Sequence, residues 1–106
     1  MSTFPNIDVY AGTAAPDSFE LRLSSGQTGL DLTLCTGAEL LVHRNGADET
    51  WALSIYGTPT ARLLILRHEW LATETASAAC LRAMVLLTFP DGVRRAGPVE
   101  IIVRGW

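Results

Sequence analysis

Apolar and polar positions alternate with a period of two along most of the chain, the pattern of strands with one face buried. In Phe19-Glu20-Leu21-Arg22-Leu23-Ser24, Phe19, Leu21 and Leu23 fall on one side and Glu20, Arg22 and Ser24 on the other. In Glu49 to Ile55 the inward set is Trp51, Leu53 and Ile55, and further on Val99, Ile101 and Val103 alternate with Glu100, Ile102 and Arg104. Strand-like runs also occupy Asn6 to Tyr10, Ala38 to Arg44, Ala61 to His68 and Ala79 to Phe89. Turn chemistry separates them: Ser24 to Gly29 reads as a loop, Asn45-Gly46-Ala47-Asp48 as a hairpin turn, Gly57-Thr58-Pro59 as a break and Pro90-Asp91-Gly92 as a tight turn. Glu69 to Ala79, rich in Ala, Leu and Glu, tolerates helix but reads as a turn or loop between strands. About seven short strands divided by such turns predict an all-β, antiparallel sandwich forming a single domain over residues 1–106.

Several strands break the alternation by being apolar on both faces. Leu40-Leu41-Val42, Leu63-Leu64-Ile65-Leu66, Met84-Val85-Leu86-Leu87 and Ile101-Ile102-Val103 carry no polar residue at the positions a wet face requires. If the last two strands pair through Pro90-Asp91-Gly92, then Met84, Leu86 and Ile102 share the outer face, and the third strand adds Leu41. A contiguous apolar patch on a folded domain marks a protein contact or a surface covered by the chain's own loops, with Glu69 to Ala79 the candidate cover. Arg104-Gly105-Trp106 is a candidate tail contact, because Arg and Trp are enriched at interface hot spots. Asn6 to Tyr10 reads as an edge strand offered to another subunit. The candidate interface residues are therefore Leu41, Met84, Leu86, Ile102, Arg104 and Trp106.

Composition narrows the partners. The chain has 106 residues, 48% hydrophobic and 18% charged, with a net charge of −3, so it is too apolar for disorder and too acidic for a phosphate backbone. No stretch approaches the roughly 20 apolar residues of a membrane span, and the N-terminus lacks the basic start and apolar run of a signal peptide. Neither nucleic acid nor membrane is an expected partner.

Catalytic constellations are not legible. His43 and His68 read as surface histidines without a third ligand at metal spacing, and Cys35 and Cys80 are isolated, with pairing disfavoured in a reducing cytoplasm. Asp48-Glu49 reads as a solvated turn, and Gly26-Gln27-Thr28-Gly29 lacks the lysine and helix of a phosphate loop. Ser24, Ser25 and Ser54 have no readable base, and Arg94-Arg95 is a surface pair. Trp51, in inward phase, reads as a core anchor, and Trp70 as a cap on the open end of the sandwich. The expectation is a protein without enzymatic activity, cofactor, metal or small-molecule substrate.

The run Ala83 to Val93, with Thr88-Phe89-Pro90-Asp91-Gly92 at its end, followed by Gly97-Pro98-Val99-Glu100-Ile101-Ile102-Val103, resembles a group of small bacteriophage virion domains. Ile7 to Gly12 and Phe19-Glu20-Leu21 resemble their opening strands, and Leu30-Asp31-Leu32-Thr33 with Gly37-Ala38-Glu39-Leu40 resembles their D-L-T-G-A segment, with Cys35-Thr36 inserted between its two elements. The group is similar to the immunoglobulin-like N-terminal domain of phage baseplate upper proteins, and the likeness spans nearly the whole chain. It implies an antiparallel immunoglobulin-like β-sandwich of about seven strands. It further implies a structural virion subunit of the neck, tail or baseplate, made in the bacterial cytoplasm, with other virion proteins and copies of itself as partners. A capsid decoration protein and a stand-alone module for host-surface carbohydrate or protein are the alternatives; the carbohydrate module would need exposed aromatics such as Tyr56 or Trp70.

Overall fold

Backbone pairing in the computed structural model, which describes residues 6–29, 31–44 and 46–105, follows the alternation closely. Seven strands form: β1 (Ile7–Tyr10), β2 (Ser18–Ser24), β3 (Gly37–Arg44), β4 (Ala47–Tyr56), β5 (Leu63–Glu69), β6 (Ala79–Phe89) and β7 (Gly92–Arg104). A four-residue helix, α1 (Ser25–Thr28), replaces the expected loop after β2. A 3-10 turn at Leu32–Leu34 is capped by Asp31, whose carboxylate accepts from the Thr33 amide at 3.0 Å. No helix of the described residues is long and apolar enough to cross a membrane.

The strands make one mixed sheet in the order β1-β7-β6-β3-β4-β5-β2. Strand β4 joins its two halves. Ala47 to Leu53 pair with β3, and Ser54 to Tyr56 pair with β5. The sheet thereby curls, and the inward side chains of β2 and β5 meet those of β3, β6 and β7 in one core. Leu21, Leu23, Leu40, Val42, Leu64 and Leu66 are almost wholly buried there, joined by Val85, Leu87 and Ile101. The inward phases read from the sequence for β2, β4 and β7 are those observed, with Phe19 and Ile55 packed at the margin of the core.

One expectation is corrected at the sheet's edge. β1 runs parallel to β7, with Ile7 opposite Ile101 and Val9 opposite Val103, so the sheet is not purely antiparallel. The reason is connectivity: β1 and β7 are the first and last strands, so no tight turn constrains their relative direction. The same pairing puts β1 at the edge of the sheet, the position read for Asn6 to Tyr10, with β7 as its neighbour among the described strands.

The β6–β7 hairpin is longer than the alternation suggested, because β7 begins at Gly92 rather than near Val99. Its register shifts between Val85 and Leu86: Val85 lies opposite Gly97, but Leu86 lies opposite Arg95. The extra residue, Ala96, is a bulge that re-aims the strand beyond it. Arg95 consequently shares the outer phase of Leu86, while Arg94 turns to the other side and sits over the Phe89 ring at 5.8 Å. At the β3–β4 turn Gly46 takes φ +80°, the left-handed conformation that a two-residue hairpin loop requires.

Leu86 and Leu87 separate the two faces in one test. Leu87→Ala should destabilise the protein by about 2–5 kcal/mol, because Leu87 is wholly buried and truncation leaves a cavity. Leu86→Ala, on the half-buried outer face, should cost about 1 kcal/mol. Urea unfolding of both variants checks the difference; equal losses would show that the outer face is core.

Candidate functional site

The outer face of β3, β6 and β7 is built in rows by the strand register. One row is Thr50, Leu41, Met84 and Pro98, on β4, β3, β6 and β7 in turn. On one side of it lie Ala52, Glu39, Leu86 and Arg95. On the other lie Asp48, His43, Arg82 and Glu100. Leu41, Met84 and Leu86 are half-buried and Pro98 is exposed, and a shallow depression of about 280 Å³ lies beside Leu41, Met84 and Pro98. An apolar centre thus sits between two charged margins.

The six interface candidates do not all meet. Leu41, Met84 and Leu86 are brought together. Ile102 is half-buried on the same face but lies opposite Cys80 and Asp8, separated from Met84 by the row containing Arg82 and Glu100. Arg104 is at the β1 edge, where its Nε donates to Asp8 at 2.9 Å. Trp106 lies outside the described residues. The loop from Glu69 to Ala79 bonds elsewhere, to Gly12, Thr13, Arg44 and His68, closing one end of the core.

That loop corrects the reading of His68 as a surface residue. His68 is 7% exposed and Glu74 is 4% exposed. The His68 Nδ1–H donates to the Ala52 carbonyl at 2.6 Å, and Nε2 is hydrogen-bonded to the Glu74 carboxylate at 2.8 Å. The Leu71 amide also donates to Glu74 at 2.8 Å, so the carboxylate organises its own loop. Phe19, Trp51 and Trp70 surround the imidazole, with Trp51 stacked on it at 5.6 Å. Both ring nitrogens are engaged, so the arrangement anchors the loop that carries Glu74. The missed signal was phase: His68 continues the inward positions of Leu64 and Leu66.

Other chemistry is dispersed among the described residues. No group of three or more His, Cys, Asp or Glu side chains among them is placed to hold a metal. Cys35 and Cys80 are both free thiols, the first buried and the second exposed. Burial pushes the Cys35 thiol above its ordinary 9.0, with backbone hydrogen bonds at Gly37 and Thr88 opposing the shift. A depression of about 490 Å³ is lined by Leu34, Phe89 and Pro90, and its Asp91 is tied to Arg94 at 2.5 Å. Another of about 460 Å³ is lined by His43, Arg44, Cys80 and Arg82, with His43 held by Asp48 at 3.0 Å and Arg44 donating to the Glu74 carbonyl at 2.7 Å. Trp70 is 3% exposed and closes the end of the core, whereas Tyr56 is 51% exposed with the Arg67 guanidinium 4.6 Å above its ring.

No protein-family model matches the chain, and no curated protein matches it.

Two outcomes test the buried groups. Glu74→Ala should destabilise the fold by about 3–5 kcal/mol, because it strands the buried imidazole and the Leu71 amide. Combining it with His68→Leu should cost less than the sum of the single changes in urea unfolding, as expected for contacting partners. A thiol reagent should label Cys80 in the native protein and Cys35 only on unfolding. The folded Cys35 keeps its proton where an unfolded thiol has lost it, so this contribution is complete below pH 9.0 and is lost as pH rises through the raised folded value. Comparing unfolding of wild type and Cys35→Ala from about pH 8 to about pH 11 reads that loss.

Proposed function

We propose that the chain is an immunoglobulin-like domain serving as a non-enzymatic subunit of a bacteriophage particle, at the neck, tail or baseplate. It binds other virion proteins and copies of itself through the outer face of β3, β6 and β7. The observation that carries the binding reading is the apolar cluster of Leu41, Met84 and Leu86 on the side of these strands that faces away from the core. Burying such side chains against a neighbour contributes roughly 25 cal/mol per Å² removed from water, less the cost of association. The handover of β4 from β3 to β5 and the pairing of first with last strand support the immunoglobulin-like layout. The phage setting rests on the resemblance carried by Thr88 to Gly92 and Gly97 to Val103.

A carbohydrate-binding module is less well supported. Trp70 is buried, and the exposed Tyr10 and Tyr56 lie on β1 and β4, with β7, β6 and β3 between them in the sheet order. They form no shared aromatic platform.

Peptide mass spectrometry of purified phage particles from the source culture should find the protein at a fixed ratio to the major capsid protein. Tens of copies or fewer fit a neck or baseplate. Hundreds would move it to the capsid surface, and absence from complete particles would overturn the virion reading. Leu86→Glu should abolish incorporation while the domain stays folded, with a stability loss of about 1–2 kcal/mol; a variant that unfolds would place Leu86 in the core.

A further inference from the structure

We infer that the outer face is a self-association surface, and that two copies of this chain meet there about a two-fold axis lying along the Leu41–Met84–Pro98 row. The inference rests on the proposed role of this face in binding and names its partner as a second copy. Its basis is the symmetry of the charges around the row. Rotation by half a turn about an in-plane axis along Leu41, Met84 and Pro98 keeps each strand over its counterpart and exchanges the two margins. Met84 then meets Met84 of the second copy, and Leu41 meets Leu41. Arg95 on one margin falls opposite Glu100 on the other, both from β7. Glu39 falls opposite His43 and diagonal to Arg82. Leu86 rests on the aliphatic stem of Arg82, the part of an arginine that packs against apolar surface.

A second observation concerns charges left over. The exposed pairs Arg104–Asp8, Arg94–Asp91, Arg67–Glu20 and His43–Asp48 are joined within the chain. Glu39, Arg82, Arg95 and Glu100 have no ion pair among the described residues; Asp17, Arg22, Asp31, Arg62 and Glu69 have none either, but these four stand together in the two rows that flank the apolar row. Arg82 and Glu100 are register neighbours and still make none. The two-fold contact supplies each of the four with an opposite charge. Arg95 is part of this set only because the bulge at Ala96 turns it to the outer side. Stacked sheets lie about 10 Å apart, a spacing that paired methionines and leucines fill.

Light scattering coupled to size exclusion, and sedimentation equilibrium, should show the full chain doubling in mass between micromolar and about millimolar concentration. Met84→Glu should remain monomeric across that range. Arg95→Glu alone and Glu100→Arg alone should each weaken association by about tenfold, since each places like charges opposite one another twice. The double variant Arg95→Glu/Glu100→Arg should recover it, because the swap restores attraction across the axis. These two positions are solvent-exposed, so the swap remains readable even if Met84→Glu fails to fold. A chain that stays monomeric overturns the proposal, as does a dimer indifferent to Met84→Glu or a double variant no tighter than the singles. The virion reading is separate: it falls only if the protein is absent from complete particles.

Discussion

The structure depends on the path of β4. β4 pairs with β3 as far as Leu53 and with β5 from Ser54, so its two ends belong to different halves of the curled sheet. This single handover makes the inner sides of β2 and β5 face those of β3, β6 and β7, and every core leucine depends on it. The junction has a local cost, since the β4–β5 ladder runs no further back than Ser54. The His68 ring on β5 donates to the Ala52 carbonyl at that point, and Glu74 holds the ring from the other side. A buried polar pair therefore stands where the backbone ladder ends, consistent with the rule that buried donors and acceptors find partners.

Closing the core this way also decides what is left outside. Strands β3, β6 and β7 carry more apolar side chains than one core can take, and the surplus lies on the outer face beside unpaired charges. The long hairpin and its bulge extend that face by aiming Arg95 outward. An apolar centre with charges of both signs at its margins is the ground of the proposed protein contact. The buried His68–Glu74 pair ties β5 to the loop that follows it, with both ring nitrogens hydrogen-bonded.

The limits of legibility can be seen residue by residue. His68 was readable as buried from its phase with Leu64 and Leu66, but its partner was not, because Glu74 lies in a loop with no period. Ile102 and Met84 looked equivalent as outward apolar positions. Register separated them, placing Arg82 and Glu100 between. Arg94 and Arg95 looked like one basic pair, but neighbours on a strand face opposite sides, and the bulge at Ala96 puts Arg95 on the outer one.

Alternation by itself determined the number of strands, most of their inward positions and the apolar surplus on four of them, because a period of two is a local property of the chain. Tertiary structure alone decided the parallel seating of β1, the switch of β4 between neighbours, the closing of the core by His68 and Glu74, and which outward residues touch. Those outcomes depend on contacts between residues far apart in the chain, where a shift of register by one position reverses which face a side chain occupies.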